Sequence, residues 1–377
     1  MPPPTIQRSR IYLGILLGVI LSGALVATLY VRHAHRVSQS PVVEPALDIF
    51  SGQPQLQQTV AKAGILDELP AGAPVIAYAN LAELQKWQAP LATLLGIDSS
   101  SPLEDQEYRK FVRETGFDYS RDLDRVAISF WPANFGIQAG SIPVQNRTFA
   151  IAEGRFNEGK IKAYALKVGH ARMRGKQQQF YEVPGNPPVA FEFRSPTELA
   201  FASGEDASAM LAAANSENAE KKDLALQSEI DRVAAAPLFA IIRGEKLPAS
   251  FYLSLQSYPQ IEHLARDVLT LVAAGQPAGS TLRIALDAET ASRTDALEIA
   301  TLLEISRMGI SVGMSDPKAQ PQMTGQQGSV IEALMKELKI THEAREVSIR
   351  LGITPDMLNA AKNDSTSAPA SVSQARR

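Results

Sequence analysis

The chain has 377 residues, 45% of them apolar and 20% charged, with a formal charge of −3 and no cysteine. That composition supports a packed core, the length suits about two to three domains, and the missing cysteine excludes disulfides, thiolate metal centres, cysteine nucleophiles and a lipidated cysteine. The first 36 residues hold four arginines (Arg8, Arg10, Arg32, Arg36) and no acid, so the remainder carries −7. This argues against nucleic acid as the main partner, because phosphate binding needs a basic stripe.

Ile11 to Val31 is a run of 21 residues without a charge, with Tyr12 and Tyr30 near its two ends. As a helix it would be about 31 Å long, the thickness of a hydrocarbon core, with its tyrosines where aromatic belts lie. Ser22-Gly23-Ala24 would pass as a signal cleavage site, but the run is longer than a signal-peptide apolar region. The reading is a retained transmembrane helix over 11–31, after a cytoplasmic tail of 1–10. The flanking arginines tie across the span. The short amino-terminal side adds its own charge, which puts that side in and the body periplasmic or otherwise extracytoplasmic, as a single-pass inner-membrane protein. Gly14, Gly18 and Ser22 recur every four residues and form a candidate helix-pairing stripe for a homodimer through the span.

Residues 32–73 read as a linker, with "SQSPVVEP" and "SGQPQLQQ" rich in Pro, Ser and Gln and a short helix over Gln57–Leu69. No heptads are sustained. The body opens at "APVIAYANLAEL", where a strand over Val75–Ala79 runs into a helix from Leu81 to Leu95 that Pro90 should bend. A second helix starts at the capping box Ser101-Pro102-Leu103-Glu104. It carries Tyr108, Phe111 and Val112 on one stripe and stops at Thr115-Gly116-Phe117, with Gly116 left-handed and Phe117 folded back on the last turn. In "ETGFDYSRDLDRVAIS", three aspartates fall within seven residues. Their spacing is not that of an EF-hand. The structural reading makes Asp118 the cap of a one-turn helix and puts Asp122 and Asp124 at the edge of a strand, Val126–Phe130.

"FAIAEGRF" leads as a strand into the helix "NEGKIKAYALKV". "VAFEFRSPTELAFAS" reads as a hairpin turning at Ser195-Pro196, with the helix "EDASAMLAAANS" after it. "PLFAIIRG" is a buried strand. "STLRIALDAET" alternates Leu282, Ile284 and Leu286 on one face, before a long helix over about Ser292–Val312. "REVSIRLGI" is a last strand and Thr354-Pro355 caps a final short helix. The fold class is α+β: after the transmembrane helix come two layered α+β subdomains, 74–247 and 248–361, with mainly antiparallel sheets and helices on one face. The boundary falls at Pro248, the subdomains share their order of elements, and 362–377 is a disordered Ser/Ala tail.

At "LDELPAGAPVIAYANLAEL" and "ETGFDYSRDLDRVAISFW" the chain resembles a loose group of bacterial single-span, membrane-anchored proteins of unknown function with an α+β extracytoplasmic body. The shared features are a proline before a strand that runs into a helix and a "TGFD…DLD" turn before another strand. They imply the architecture and no catalytic residue.

Motifs with a mechanism are missing. There is no phosphate-binding loop, dinucleotide fingerprint or nucleophile elbow. "HEARE" at His342 starts like a zinc-protease motif but ends in Glu346. "SDPK", Ser315 to Lys318, has the SxxK spacing without its companion motifs. No catalytic, cofactor-binding or metal-binding residue is singled out, no cofactor is expected, and the reading leans against an enzyme. The best surface signal is "KVGHARMRGK". His170, Arg172, Arg174 and Lys176 are spaced by two and would share one face of a strand, a candidate patch for an anionic headgroup, a cell-wall polymer or an acidic protein. An edge strand guarded by charge gives the same pattern. "FWPANFG", Phe130 to Gly136, is a candidate aromatic contact loop. The expected function is a non-enzymatic envelope binding or structural protein. The alternatives are an anchored hydrolase of unfamiliar type or an accessory subunit of a secretion or pilus assembly.

Overall fold

The computed structural model describes residues 64–84, 106–132, 146–174, 178–185, 187–214, 224–233, 235–253, 259–315, 333–354 and 357. The span at 11–31 with Gly14, Gly18 and Ser22, the linker up to residue 63 and the tail from residue 358 lie outside them. Among the described residues no helix is long and apolar enough to cross a membrane.

The fold is α+β, built on one large antiparallel sheet. Its first half holds β1 (Val75–Asn80), α1 (Gln106–Thr115), α2 (Tyr119–Asp122), β2 (Leu123–Trp131), β3 (Arg147–Gly154), α3 (Glu158–Val168), β4 (His170–Arg174), β5 (Gln178–Val183), β6 (Val189–Ser195), β7 (Glu198–Ser203), α4 (Ala207–Ala214) and α5 (Leu224–Val233). The second half holds β8 (Leu238–Arg243), a 3-10 turn (Gly244–Lys246), α6 (Ala249–Leu253), α7 (Pro259–Asp267), β9 (Val268–Ala278), β10 (Thr281–Thr290), α8 (Arg293–Ser315), β11 (Lys339–Glu343) and β12 (Glu346–Ile353). Among the described residues twelve strands run β11-β12-β10-β9-β8-β1-β2-β3-β7-β6-β5-β4, every neighbour antiparallel.

The register shows that the sheet is a duplicated unit. β1 pairs with β8 through Ala77↔Ala240, and "PVIAYAN" superposes on "PLFAIIR" about that pair. The flanking bonds obey the same two-fold: Arg243 N–H donates to Pro74 O (2.8 Å), and Asn80 N–H to Pro237 O (2.7 Å). Outward on each side, Arg121-Asp122-Leu123 matches Arg266-Asp267-Val268 where β2 and β9 begin. The carbonyl of Asp122 accepts from Arg155 N–H (2.7 Å) and that of Asp267 from Ala291 N–H (3.1 Å). The two strands slip register at the same place, between Leu123 and Arg125 and between Val268 and Thr270, as a β-bulge requires. The unit is thus strand, helices, hairpin, helix, hairpin. It restarts at Pro237, and Pro248 lies within the β8–β9 connection. The first half adds β5 and β4 at its outer edge.

Helices cover both faces of the sheet rather than one. On one face α4, α5 and residues 64–69 bury Ile76, Tyr78, Phe149, Ile151, Phe239, Ile241 and Val272. Tyr78 stacks on Phe239 at 5.3 Å, and burial pushes its phenol up to about 12. On the other face α3 covers Tyr181 and Phe191, while α7 and α8 cover Ala288, Ile340 and Val347. The reason lies in the central strands, whose near-continuous apolar runs "VIAYA" and "LFAII" need cover on both sides. The same geometry amends the Leu282/Ile284/Leu286 stripe. Leu282 is buried, but Ala285 and Asp287 are buried too, since the opposite face is not solvent.

Local signals behave as their chemistry dictates. Gly116 ends α1 at φ 74°, and Phe117 turns back to Phe111 at 6.3 Å between ring centroids. Asp118 caps α2 by accepting from Ser120 N–H, and Asn157 caps α3 by accepting from Lys160 N–H.

Candidate functional site

The basic pattern at 170–176 falls on β4, at one end of the sheet. Gly169 makes this placement possible. Its N–H closes α3 onto Ala165 O (2.8 Å), and a Cβ there would overlap the carbonyl of Glu182 on the adjacent strand. The chain therefore leaves the helix directly against β5. The register sets His170 opposite Glu182, Arg172 opposite Phe180 and Arg174 opposite Gln178, so the three side chains share one face. Lys176 lies outside the described residues.

These side chains meet acids that their own segment does not contain. His170 Nε2 lies 2.9 Å and Arg172 Nε 2.8 Å from the same Glu182 oxygen, and the Ser208 hydroxyl donates to the other oxygen. Arg174 reaches inward. It lies 3.5 Å from Glu192, donates to Leu211 O at the end of α4 (3.2 Å), and its guanidinium sits over Phe180. Glu192 is 1% exposed and also faces Arg194, which pairs with Glu68. One end of the strand is thus tied into the core, while the side chains of His170 and Arg172 remain more than half exposed. On the other face Ala171 packs under α3 and Met173 is 58% exposed.

Ser208, Glu182 and His170 are the residue types of a hydrolytic triad in the wrong order. Hydroxyl and imidazole both bind the carboxylate, so no hydrogen bond leads from Ser208 to His170.

A second titratable feature recurs in both halves. Glu153 stands opposite Glu198 and, at the matching position, Glu289 opposite Glu346. Facing like charges are unfavourable, and arginines offset them: Arg125 pairs with Glu153, Arg345 with Glu289 (3.1 Å) and Arg232 with Glu346 (3.2 Å). Burial raises Glu153, and Arg125 opposes that rise. Glu229 on α5 is likewise raised, by burial first, against the pull of Arg232.

The remaining sequence candidates resolve into structure. Asp122 is held at about 2 by hydrogen bonds from Arg121, together with the Asp118 N–H and the charge of Arg155. Asp118 caps α2. Among the described residues, no group of three or more His, Asp or Glu could hold a metal ion. "HEARE" spans the β11–β12 turn, with Ala344 at φ 48°, so it never forms the helical face a zinc motif needs. Trp131 lies in β2 beneath the Arg147 guanidinium, 5.4 Å away. Residues 133–145, the rest of the aromatic stretch after Pro132, lie outside the described set. Glu182 and Ser208, which complete the β4 cluster, had no signal in the sequence, because the register alone brings them to His170 and Arg172.

No family model matches the chain, and no curated protein matches it. Solved structures show a distant structural similarity. Crystal forms III, IV and I of TP0453 align with TM-scores of 0.42, 0.43 and 0.43 at 12%, 14% and 11% identity. Each alignment covers 80% of this chain, and 98%, 96% and 96% of the respective TP0453 chains.

Proposed function

We propose that this chain is a single-pass envelope protein, anchored by residues 11–31 with its amino terminus inside, whose extracytoplasmic body is a non-enzymatic binding module. The observation that carries this reading is the uncharged run of 21 residues, Ile11 to Val31, ahead of a body with its own core. That run is long enough for a hydrocarbon core. The resemblance of "LDELPAGAPVIAYANLAEL" and "ETGFDYSRDLDRVAISFW" to bacterial single-span proteins points the same way. The body offers a surface suited to binding at β4, where His170 and Arg172 stand exposed with one carboxylate between them. A protein or an acidic wall polymer is the partner, and Gly14, Gly18 and Ser22 would pair two spans.

Fractionation of cells expressing the full chain tests the anchor, and protease added to spheroplasts tests the orientation. The body should sediment with membranes, resist alkaline extraction and be digested from outside. A body released as a shorter soluble product would overturn the anchor, and one protected until the membrane is lysed would overturn the orientation.

A further inference from the structure

We propose that β4 is a strand-addition edge, and that an extended segment of a partner protein, alternating acidic and apolar residues, pairs along His170–Arg174. The proposal deepens the binding reading above and names the partner's chemistry.

An outermost antiparallel strand turns the N–H and C=O groups of alternate residues away from its only neighbour. Among the described residues, β4 is that strand at one end of the sheet and β11 at the other. They are not equivalent. β11 reads Lys-Ile-Thr-His-Glu, carrying both signs of charge, and its Ile340 is covered by α8. β4 reads His-Ala-Arg-Met-Arg, without an acid, and leaves Met173 uncovered. It is also prepared for pairing. Gly169 holds its start against β5, and Arg174 ties its end to Leu211 O and Glu192, so little order remains to be imposed on binding.

The pleat dictates what fits. Cross-strand neighbours share a face. One face of the incoming strand meets His170 and Arg172, whose side chains are more than half exposed; a carboxylate there accepts from the Arg172 guanidinium. The other face meets Met173, which an apolar side chain covers. A second copy of β4 is disfavoured, since antiparallel self-pairing about Arg172 would set His170 against Arg174 and Arg172 against itself. The same cations that guard the edge against its own kind select an acidic strand.

The test uses the full chain in detergent micelles and a fluorescent peptide of about ten residues alternating glutamate and valine, long enough to span β4. The peptide should bind, slow amide exchange at 170–174 and bind less as salt rises. A lysine/valine peptide should not bind, and a proline at the centre of the glutamate peptide should abolish pairing. Arg172→Gln should weaken binding about tenfold, while Arg172→Lys retains it. Failure to bind, equal binding of the lysine peptide, or protection elsewhere than β4 overturns the proposal. So does self-association that protects β4 without peptide. Each of these results leaves the anchor and its orientation, which fractionation reads, untouched.

Discussion

The two halves of the sheet share a backbone plan and fill it differently. Each begins with a proline-led apolar strand at the two-fold, starts its second strand through an Arg-Asp pair and a bulge, and sets two glutamates face to face where its two hairpins meet. In the first half the outer face of the plan is packed with rings. Phe111 meets Tyr164 at 5.3 Å, Phe117 stacks on Phe156 at 5.1 Å and Tyr181 on Phe191 at 5.2 Å. In the second, Ala296, Ile299 and Ala300 of a longer helix lie on Val347. Buried charge differs as well. Glu192 in the first half is shared between Arg174 and Arg194, whereas Asp287 in the second rests on Arg350 at 2.5 Å and the Ser348 hydroxyl at 2.7 Å. The duplicated features fix where strands turn and pair, while core volume is free to be filled by any set of apolar side chains of suitable size.

The largest expected effect tests this contrast in buried charge. Arg350→Met strands Asp287, 1% exposed, and should cost about 3 kcal/mol by urea unfolding. Arg174→Met should cost less, because Glu192 keeps Arg194 nearby at 3.8 Å. Equal losses would break the claim that only the second wing depends on a single pair.

An intermediate effect comes from exchanging the halves at one matched position. Gly154 corresponds to Thr290, yet a Cβ at Gly154 would overlap the carbonyl of Asp122, while Thr290 donates its hydroxyl to Ser292 O and Arg345 O, both at 2.8 Å. Gly154→Thr should destabilise by about 2 kcal/mol through backbone displacement, and Thr290→Gly by about 1 kcal/mol. A neutral Gly154→Thr would show that the two bulges are interchangeable.

The smallest effects separate the matched aspartates by pH. Asp122, its folded value near 2, adds stability that is present above its ordinary value near 4 and is lost as pH falls through 2. Asp122→Asn should remove about 1 kcal/mol of acid-dependent stability. Asp267 instead pairs with His263 at 2.8 Å, and this hydrogen bond raises the imidazole above 6.5. Its contribution is present below 6.5 and fades as pH rises through the raised value. In Asp267→Asn the His263 titration, followed by NMR, should move down towards 6.5. An unmoved titration would show that the matched positions do not differ in this way.

Much of the local structure was legible from single residues. Gly116 stops α1, Asp118 caps α2, and the hairpin at Ser195-Pro196 and the strand at 170–174 stand where the spacing predicts, because each depends on neighbours a few residues apart. The sequence places the boundary at Pro248 and leaves the strand at 238–243 in the first set, whereas the register starts the second unit with that strand. The cover on both faces was not anticipated, although the unbroken apolar runs of β1 and β8 carry its signal. Of the candidate site, the shared face of His170, Arg172 and Arg174 was legible in their spacing, but their acids were not. Glu182 and Glu192 belong to later strands, and Ser208 to a helix beyond them.

By itself the sequence determined many of the helices and strands, stops such as Gly116, and that an uncharged run long enough for a membrane precedes the body, since these follow from short-range sterics, capping and hydropathy; β5, β9 and β11 were not legible in it. Only the tertiary structure decided that the two halves share one sheet, with Ala77 against Ala240 at its centre. It alone placed β4 at the edge and put one carboxylate between His170 and Arg172. Pairing between distant strands depends on burying both faces at once, and no local pattern encodes which partner achieves that.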